Sequence, residues 1–301
     1  METADQRIPV SSGSAPSASL RQSEIAPMGL RTVLLEAGPD SGEEAVVFLH
    51  GHPGSAWDWQ PLLERTGQFA RAIAFDLPGF GKSEKPKDWD YSIGTYGIYL
   101  AAALNMLHIR RAHLVMHDLG GGAGLAWAAA HPADFASAVL IDTGVLIGFG
   151  WHPLARAFRV PGLGGLLVAM TNRPGYRAAM RYYNPQPRKL PRWYLDRLWE
   201  DYDRGTRRAV MRMYRSAPPT GFERLVPVFR ELDRPALVLW GRHDPACPVE
   251  QAEYQLRSFP NANVVVLEES GHWPFVDDPD AVASHVIPFL EQQLKGPANG
   301  G

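Results

Sequence analysis

Apolar residues run through this chain in two rhythms. The first is a set of short, unbroken runs: Val46-Val47-Phe48-Leu49, Ala72-Ile73-Ala74-Phe75, His113-Leu114-Val115-Met116, Ala138-Val139-Leu140-Ile141, Ala236-Leu237-Val238-Leu239-Trp240 and Val264-Val265-Val266-Leu267. Continuous runs of this length read as strands covered on both faces. The second rhythm is helical and lies between the runs, as over Tyr96–Leu107 and Leu119–His131. Alternation of this kind predicts an α/β fold with a mostly parallel, doubly wound sheet. Right-handed crossovers then gather the strand C-termini along one edge, where ligands bind.

The alternation breaks between residues 147 and 232. That stretch is rich in Trp, Tyr, Arg and Pro, with helical spacing at Trp193, Arg197 and Asp201. It reads as a helical cap inserted into a core made of residues 29–146 and 233–301. Within it, the segment 160–170 is apolar but too short to span a bilayer and carries three glycines. It reads as a buried or substrate-facing part of the cap. Residues 1–28 read as a disordered tail. Their Ser11-Ser12-Gly13-Ser14-Ala15-Pro16-Ser17-Ala18 stretch has too little apolar surface to fold, and they lack the apolar core of a secretory signal.

Composition narrows the function. The 301 residues are 45 % hydrophobic and 21 % charged, with a net charge of −2, so no overall basic surplus points to nucleic acid. Neither a metal-ligand cluster nor a cofactor motif stands out, and neither is expected. Gly79-Phe80-Gly81-Lys82-Ser83 ends like a phosphate loop, but Asp76 stands where the upstream glycine belongs. The single cysteine, Cys247, can form no internal disulfide and reads as a spectator thiol, in keeping with a reducing cytoplasmic setting. The expected partner is a small hydrophobic substrate, with no nucleic acid and no membrane. A homodimer is left open.

The chemistry centres on Val115-Met116-His117-Asp118-Leu119-Gly120-Gly121-Gly122. A strand runs into an acidic residue, then glycines, then a helix. This is the strand–turn–helix of a nucleophile elbow, with aspartate at its tip. A carboxylate attacks an sp3 carbon bearing a leaving group and leaves an ester that water must hydrolyse. A strand-end Asp that merely caps the next helix is common, so flanking motifs must decide. His50-Gly51-His52-Pro53-Gly54-Ser55 follows the first run, and its backbone N–H at His52, with that of Leu119, can form an oxyanion hole. Ser270-Gly271-His272-Trp273-Pro274 follows the last run and offers His272 as general base. His113, His117, His131 and His285 lack such a setting. Gly241-Arg242-His243-Asp244-Pro245 offers Asp244 to orient His272, with Asp142 as the rival acid.

On these residues the chain resembles the α/β-hydrolase superfamily over about residues 29–295. The His-Asp-X-Gly-Gly elbow, His50-Gly51-His52-Pro53, Asp76-Leu77-Pro78-Gly79-Phe80-Gly81-Lys82-Ser83 and Ser270-Gly271-His272 are similar to its epoxide hydrolase and haloalkane dehalogenase branch. The resemblance implies one scheme for both chemistries: Asp118 as nucleophile, His272 as base, and an acid behind it. Haloalkane dehalogenases bind the halide with a Trp just after the nucleophile and often an Asn in the His-Gly-X-Pro motif. Leu119 and His52 stand there in this chain. Fluoroacetate dehalogenases grip a carboxylate with arginines after the nucleophile, where this chain has Leu119 and Gly122. Epoxide hydrolases protonate the leaving oxygen from cap tyrosines. Tyr214 is placed like one of them, though it also fits a packing role beside Val210 and Met213. A second donor has several candidates: Tyr176, Tyr182, Tyr183, or Trp151-His152 at the cap entrance.

The expected walls are Leu119, Trp57, Phe149, Trp151, His152 and the Pro161–Val168 segment. A hydrophobic epoxide is the expected substrate, and a haloalkane is the alternative. A binding protein without catalysis is the alternative of another class, and a complete Asp118–Asp244–His272 set argues against it. A serine acyl hydrolase would need serine at the elbow, and Ser55 and Ser83 sit on other loops.

Overall fold

Six apolar runs of the sequence become the six parallel strands of one eight-stranded sheet. The computed structural model describes residues 18–185, 190–217 and 222–295. Its strands are β1 (Arg21–Ile25), β2 (Thr32–Ala37), β3 (Glu44–Leu49), β4 (Ala72–Phe75), β5 (Arg111–His117), β6 (Phe135–Ile141), β7 (Ala236–Gly241) and β8 (Asn263–Leu267). Their spatial order is β1-β2-β4-β3-β5-β6-β7-β8. β1 and β2 pair antiparallel, as do β2 and β4, and every other neighbouring pair is parallel. Strand order reverses beside β3: the chain steps from β3 to β4 on one side and then to β5 on the other. A crevice at such a switch point is where open α/β sheets bind ligands. The loops that open from β3 and β5 carry His52 and Asp118.

β1 and β2 extend the fold beyond what the apolar runs announce. Residues 18–28 therefore belong to the described structure, which corrects the expected tail to residue 28. β1 alternates half-buried and exposed residues at the sheet edge, and its Arg21-Gln22-Ser23-Glu24 sequence hides it from a hydrophobicity reading. Residues 1–17, which hold most of the expected tail, and residues 296–301 lie outside the described residues.

The helices are α1 (Gln60–Thr66), α2 (Ile93–Met106), α3 (Leu119–Ala130), α4 (Pro153–Arg159), α5 (Leu163–Met170), α6 (Arg173–Tyr183), α7 (Arg192–Asp201), α8 (Arg204–Ser216), α9 (Val226–Leu232), α10 (Glu250–Tyr254), α11 (Pro274–Asp277) and α12 (Pro279–Leu294). α2 starts three residues before its expected start at Tyr96, because the Ser92 hydroxyl caps it by accepting the Thr95 N–H at 3.2 Å. α2 packs on α3 and α1 on α12, covering the sheet.

α4 to α8 form the roof inserted after β6. α9 rejoins the core: its buried Phe229 packs edge-on to Phe135 of β6 and tilted on Phe259. Pairs of opposite charge fasten the α7–α8 side of the roof. Lys82 meets Asp201 at 2.8 Å and Lys85 meets Asp203 at 2.6 Å. The deepest pair is Arg197 of α7 on Asp58 of the core, both almost fully buried, with the guanidinium 4.9 Å above the Tyr194 ring. Removing one member of such a pair leaves a buried charge uncompensated. Asp58→Ala is expected to destabilise the protein by about 3–5 kcal/mol, read as a lower midpoint in urea unfolding. Replacing both residues with apolar ones should recover much of that loss.

Candidate active site

The elbow forms because β5 and α3 are joined with almost no loop. Asp118 takes up the whole bend, at φ 44° and ψ −116°, a left-handed backbone that a residue with a side chain adopts only when its surroundings hold it there. Two glycines allow the close approach. A Cβ on Gly120 would overlap the Leu49 carbonyl oxygen, and one on Gly51 would overlap the Asp118 side chain. With both absent, the β3 loop lies against the elbow, and the His52 N–H donates to Asp118 Oδ1 at 2.7 Å. The Leu119 N–H also favours the ionised form of this carboxylate.

His272 stands on the other side of Asp118, with Nε2 3.9 Å from Asp118 Oδ2. Its Nδ1 donates to Asp244 Oδ2 at 2.7 Å. The other Asp244 oxygen accepts the N–H groups of Ala246 at 2.7 Å and Cys247 at 3.1 Å. Asp142, the rival acid, accepts the Gly241 N–H at 2.9 Å instead and has no bond to His272. Its own burial, and then the nearby Asp244 charge, push its carboxyl well above the ordinary range, so it stays neutral behind the pair.

Above Asp118 the roof closes a cavity of about 1100 Å³ including its mouth. His52, Leu119, Phe149, Trp151, His152, Tyr214, Asp118 and His272 all line it. Trp57 does not. It packs partly buried against the core, and the expectation of a Trp57 wall is corrected. The Pro161–Val168 wall is corrected too, because α5 turns outward and the inner wall comes from Leu154 and Phe158 of α4.

The candidate second donors also separate. Tyr182 is exposed, and Tyr176 lies outside this cavity. Tyr183 lines the cavity, but its hydroxyl lies 2.7 Å from His152 Nδ1, which also accepts the Ala155 N–H at 3.2 Å. A ring nitrogen that accepts an N–H carries no proton. The His152 proton is therefore on Nε2, and the Tyr183 hydroxyl is the donor in their bond.

A family model described as "Alpha/beta hydrolase family" matches residues 46–285. The chain belongs to the alpha/beta hydrolase family. A 2-hydroxy-6-oxononadienedioate/2-hydroxy-6-oxononatrienedioate hydrolase of Burkholderia vietnamiensis is 28 % identical over 266 residues, covering 84 % of this chain and 88 % of that one. A haloalkane dehalogenase of Agrobacterium fabrum is 32 % identical over 157 residues, half of each chain. Among solved structures, the epoxide hydrolase CorEH shares the fold at a TM-score of 0.75 and 19 % identity, covering 91 % of this chain and 99 % of that one.

Electrostatics in this hydrolase divide the histidines by role. Burial favours neutral His272, but the Asp244 charge outweighs it and raises the imidazole above its ordinary value, with Asp118 adding to the effect. Burial likewise works against ionised Asp118, yet His272 and the His52 and Leu119 N–H groups hold it below the usual carboxylate range. Burial lowers His52 and His152 to about 4, so both are neutral near pH 7.

His117, passed over in the sequence, is buried at the end of β5, with Nε2 2.7 Å from the His272 carbonyl oxygen. It sits beside Asp118 and ties the loop that carries His272 to β5. Its adjacency to Asp118 was the available signal. Asp244→Asn is expected to lower turnover roughly 10²–10⁴-fold, whereas Asp142→Asn should leave it within about tenfold, since one neutral hydrogen-bonding group replaces another. Steady-state kinetics on both variants checks this.

Proposed function

We propose that this hydrolase opens a hydrophobic epoxide to a diol through an ester on Asp118. The observation that carries the reading is that two residues able to donate a proton, Tyr214 and a His152 protonated on Nε2, line the same apolar cavity as the Asp118 carboxylate. Both residues line that cavity, with ring centroids 6.1 Å apart. Burial, and then the Asp118 charge, raise Tyr214 well above its ordinary value. Tyr214 therefore stays protonated at any working pH and can donate to an oxygen that leaves as alkoxide.

In the first step an Asp118 oxygen bonds to an epoxide carbon. The carbon–oxygen bond of the ring breaks, and the freed oxygen takes its proton from the roof pair. In the second, His272 removes a proton from water, and the hydroxide adds to the Asp118 carboxyl carbon. The His52 and Leu119 N–H groups hold the oxyanion. Collapse expels the diol oxygen, which takes the proton held by His272, and the proton left on the regenerated Asp118 carboxyl returns to the roof pair, so the carboxylate and both donors are restored. Ester formation also cancels the Asp118 charge that helps raise the His272 pKa. The imidazole is then more readily neutral in the intermediate, when it must act as base.

A haloalkane substrate is the second reading, favoured by the dehalogenase likeness over half the chain. It is weakened by Leu119, which offers no side-chain donor to a halide. A role in binding alone is weakened by the complete Asp118–His272–Asp244 set, which a pure binder does not need.

One turnover of a styrene-type epoxide in H₂¹⁸O should put the label in the Asp118 peptide and none in the diol, as read by mass spectrometry. Label in the diol with none in the peptide would overturn the ester. Turnover of bromoalkanes but not epoxides would transfer the assignment to dehalogenation. Tyr214→Phe should slow ester formation roughly 10²-fold or more, and His272→Gln should trap the alkylated enzyme. In stopped-flow and quench experiments, ester hydrolysis should fail only at a lower pH than the His272 titration of the free enzyme. The two coinciding would show that the Asp118 charge does not act on the base.

A further inference from the structure

The near-neutral total charge conceals a strong separation. Residues 147–232 hold sixteen Arg and Lys against six Asp and Glu, a net of +10, while the rest of the chain holds fourteen against twenty-six, a net of −12. Among the described residues no Arg or Lys lines the cavity, so their positive charge is not directed at the substrate. Among the described residues, Arg197 is buried against Asp58, whereas Arg156, Arg173, Arg181, Arg192, Arg204 and Arg215 of the roof helices are exposed.

The same outer surface carries an apolar ridge. Leu163, Leu166 and Met170 share one face of α5 at helical spacing and are 43 %, 57 % and 69 % exposed, and the neighbouring Val160 is 46 % exposed. No charged residue occurs from Val160 to Asn172. Arginines rim this ridge. Exposed Arg156 shares the outer face of α4 with Val160. Arg173 opens α6 just beyond the end of α5. Exposed Arg204 lies one turn from Arg207, whose guanidinium reaches the Val168 carbonyl of α5 at 3.1 Å.

Against the sequence expectation of no membrane partner, we propose that the α4–α5 face of the roof docks on the surface of an anionic lipid bilayer. Apolar side chains rimmed by cations are the chemistry that an acidic headgroup layer over acyl chains recognises. A second copy of the chain fits less well. A two-fold contact through this face would oppose two strongly positive roofs. A head-to-tail contact would need an apolar counterpart, and the exposed Met28, Phe69, Ile98, Met106 and Leu256 are scattered over other elements. The inner side of α4 carries Leu154 and Phe158 into the cavity. Docking therefore sets one thin helical layer between lipid and active site.

The test is flotation of the full chain with phosphatidylcholine vesicles, with and without phosphatidylglycerol, at low ionic strength. Binding is expected only to the phosphatidylglycerol vesicles, with release as salt shortens the reach of surface charge to a few ångströms. Leu166→Asp with Met170→Asp should lower the bound fraction at least about tenfold. Arg156→Glu with Arg204→Glu should lower it at least about fivefold while leaving the apolar ridge intact. Unchanged thermal unfolding of these surface variants verifies the fold. Equal binding to both lipid mixtures, no binding to either, or wild-type binding by the double variants would overturn the proposal. So would a dimer in sedimentation velocity that the Leu166→Asp/Met170→Asp pair splits, because the ridge would then be a self-association face.

Discussion

A carboxylate enclosed in an apolar cavity stays ionised only if donors and positive charge surround it, and the architecture around Asp118 is organised by that requirement. Burial alone would favour the neutral acid. The His52 and Leu119 N–H groups and the nearby imidazole of His272 outweigh it, while His117, lowered by burial to about 3, is neutral near pH 7. Each donor imposes a demand on the fold. The His52 N–H arrives only because β3 neighbours β5 and Gly51 has no side chain to hold the loops apart. The Leu119 N–H is available because Asp118 accepts a left-handed backbone at the start of α3. His272 is held by a buried Asp244 whose second oxygen is satisfied by backbone N–H groups.

The roof meets this machinery from above through a short chain of hydrogen bonds. The Tyr183 carbonyl accepts the His272 N–H at 3.3 Å, while its hydroxyl donates to His152 and so decides which nitrogen of that ring carries the proton. One residue at the end of α6 thus links the positions of His272 and His152. The roof is fastened on its α7–α8 side by Arg197–Asp58 and two lysine–aspartate pairs, and it presents α5 outward on the other. Its charge has the opposite sign to that of the core beneath it, which gives the molecule a polarity that the total charge conceals.

Much of this was legible in the chain itself. Parallel strands buried on both faces must be continuously apolar, so β3 to β8 announce themselves, and the break in alternation announces the insertion. Motifs that begin at strand ends carry their own location, and His52, Asp118, Leu119, Asp244 and His272 converge for that reason. Edge strand β1 escaped because half its residues face water. The outward turn of α5 escaped because an apolar segment reads alike whether it faces a cavity or solvent. Trp57 was misplaced because an aromatic residue beside an active loop can pack away from it into the core.

By itself, then, the sequence determined the fold class and which side chains meet at the candidate site, because those follow from local pattern and from strand ends that the topology must align. Only the tertiary structure decided between Asp244 and Asp142, assigned the His152 proton to Nε2, gave His117 its carbonyl partner and separated inner from outer wall in the roof. Those choices depend on distances of a few ångströms between residues far apart in the chain. No periodicity or spacing encodes such distances; they exist only once the packed elements have brought the side chains together.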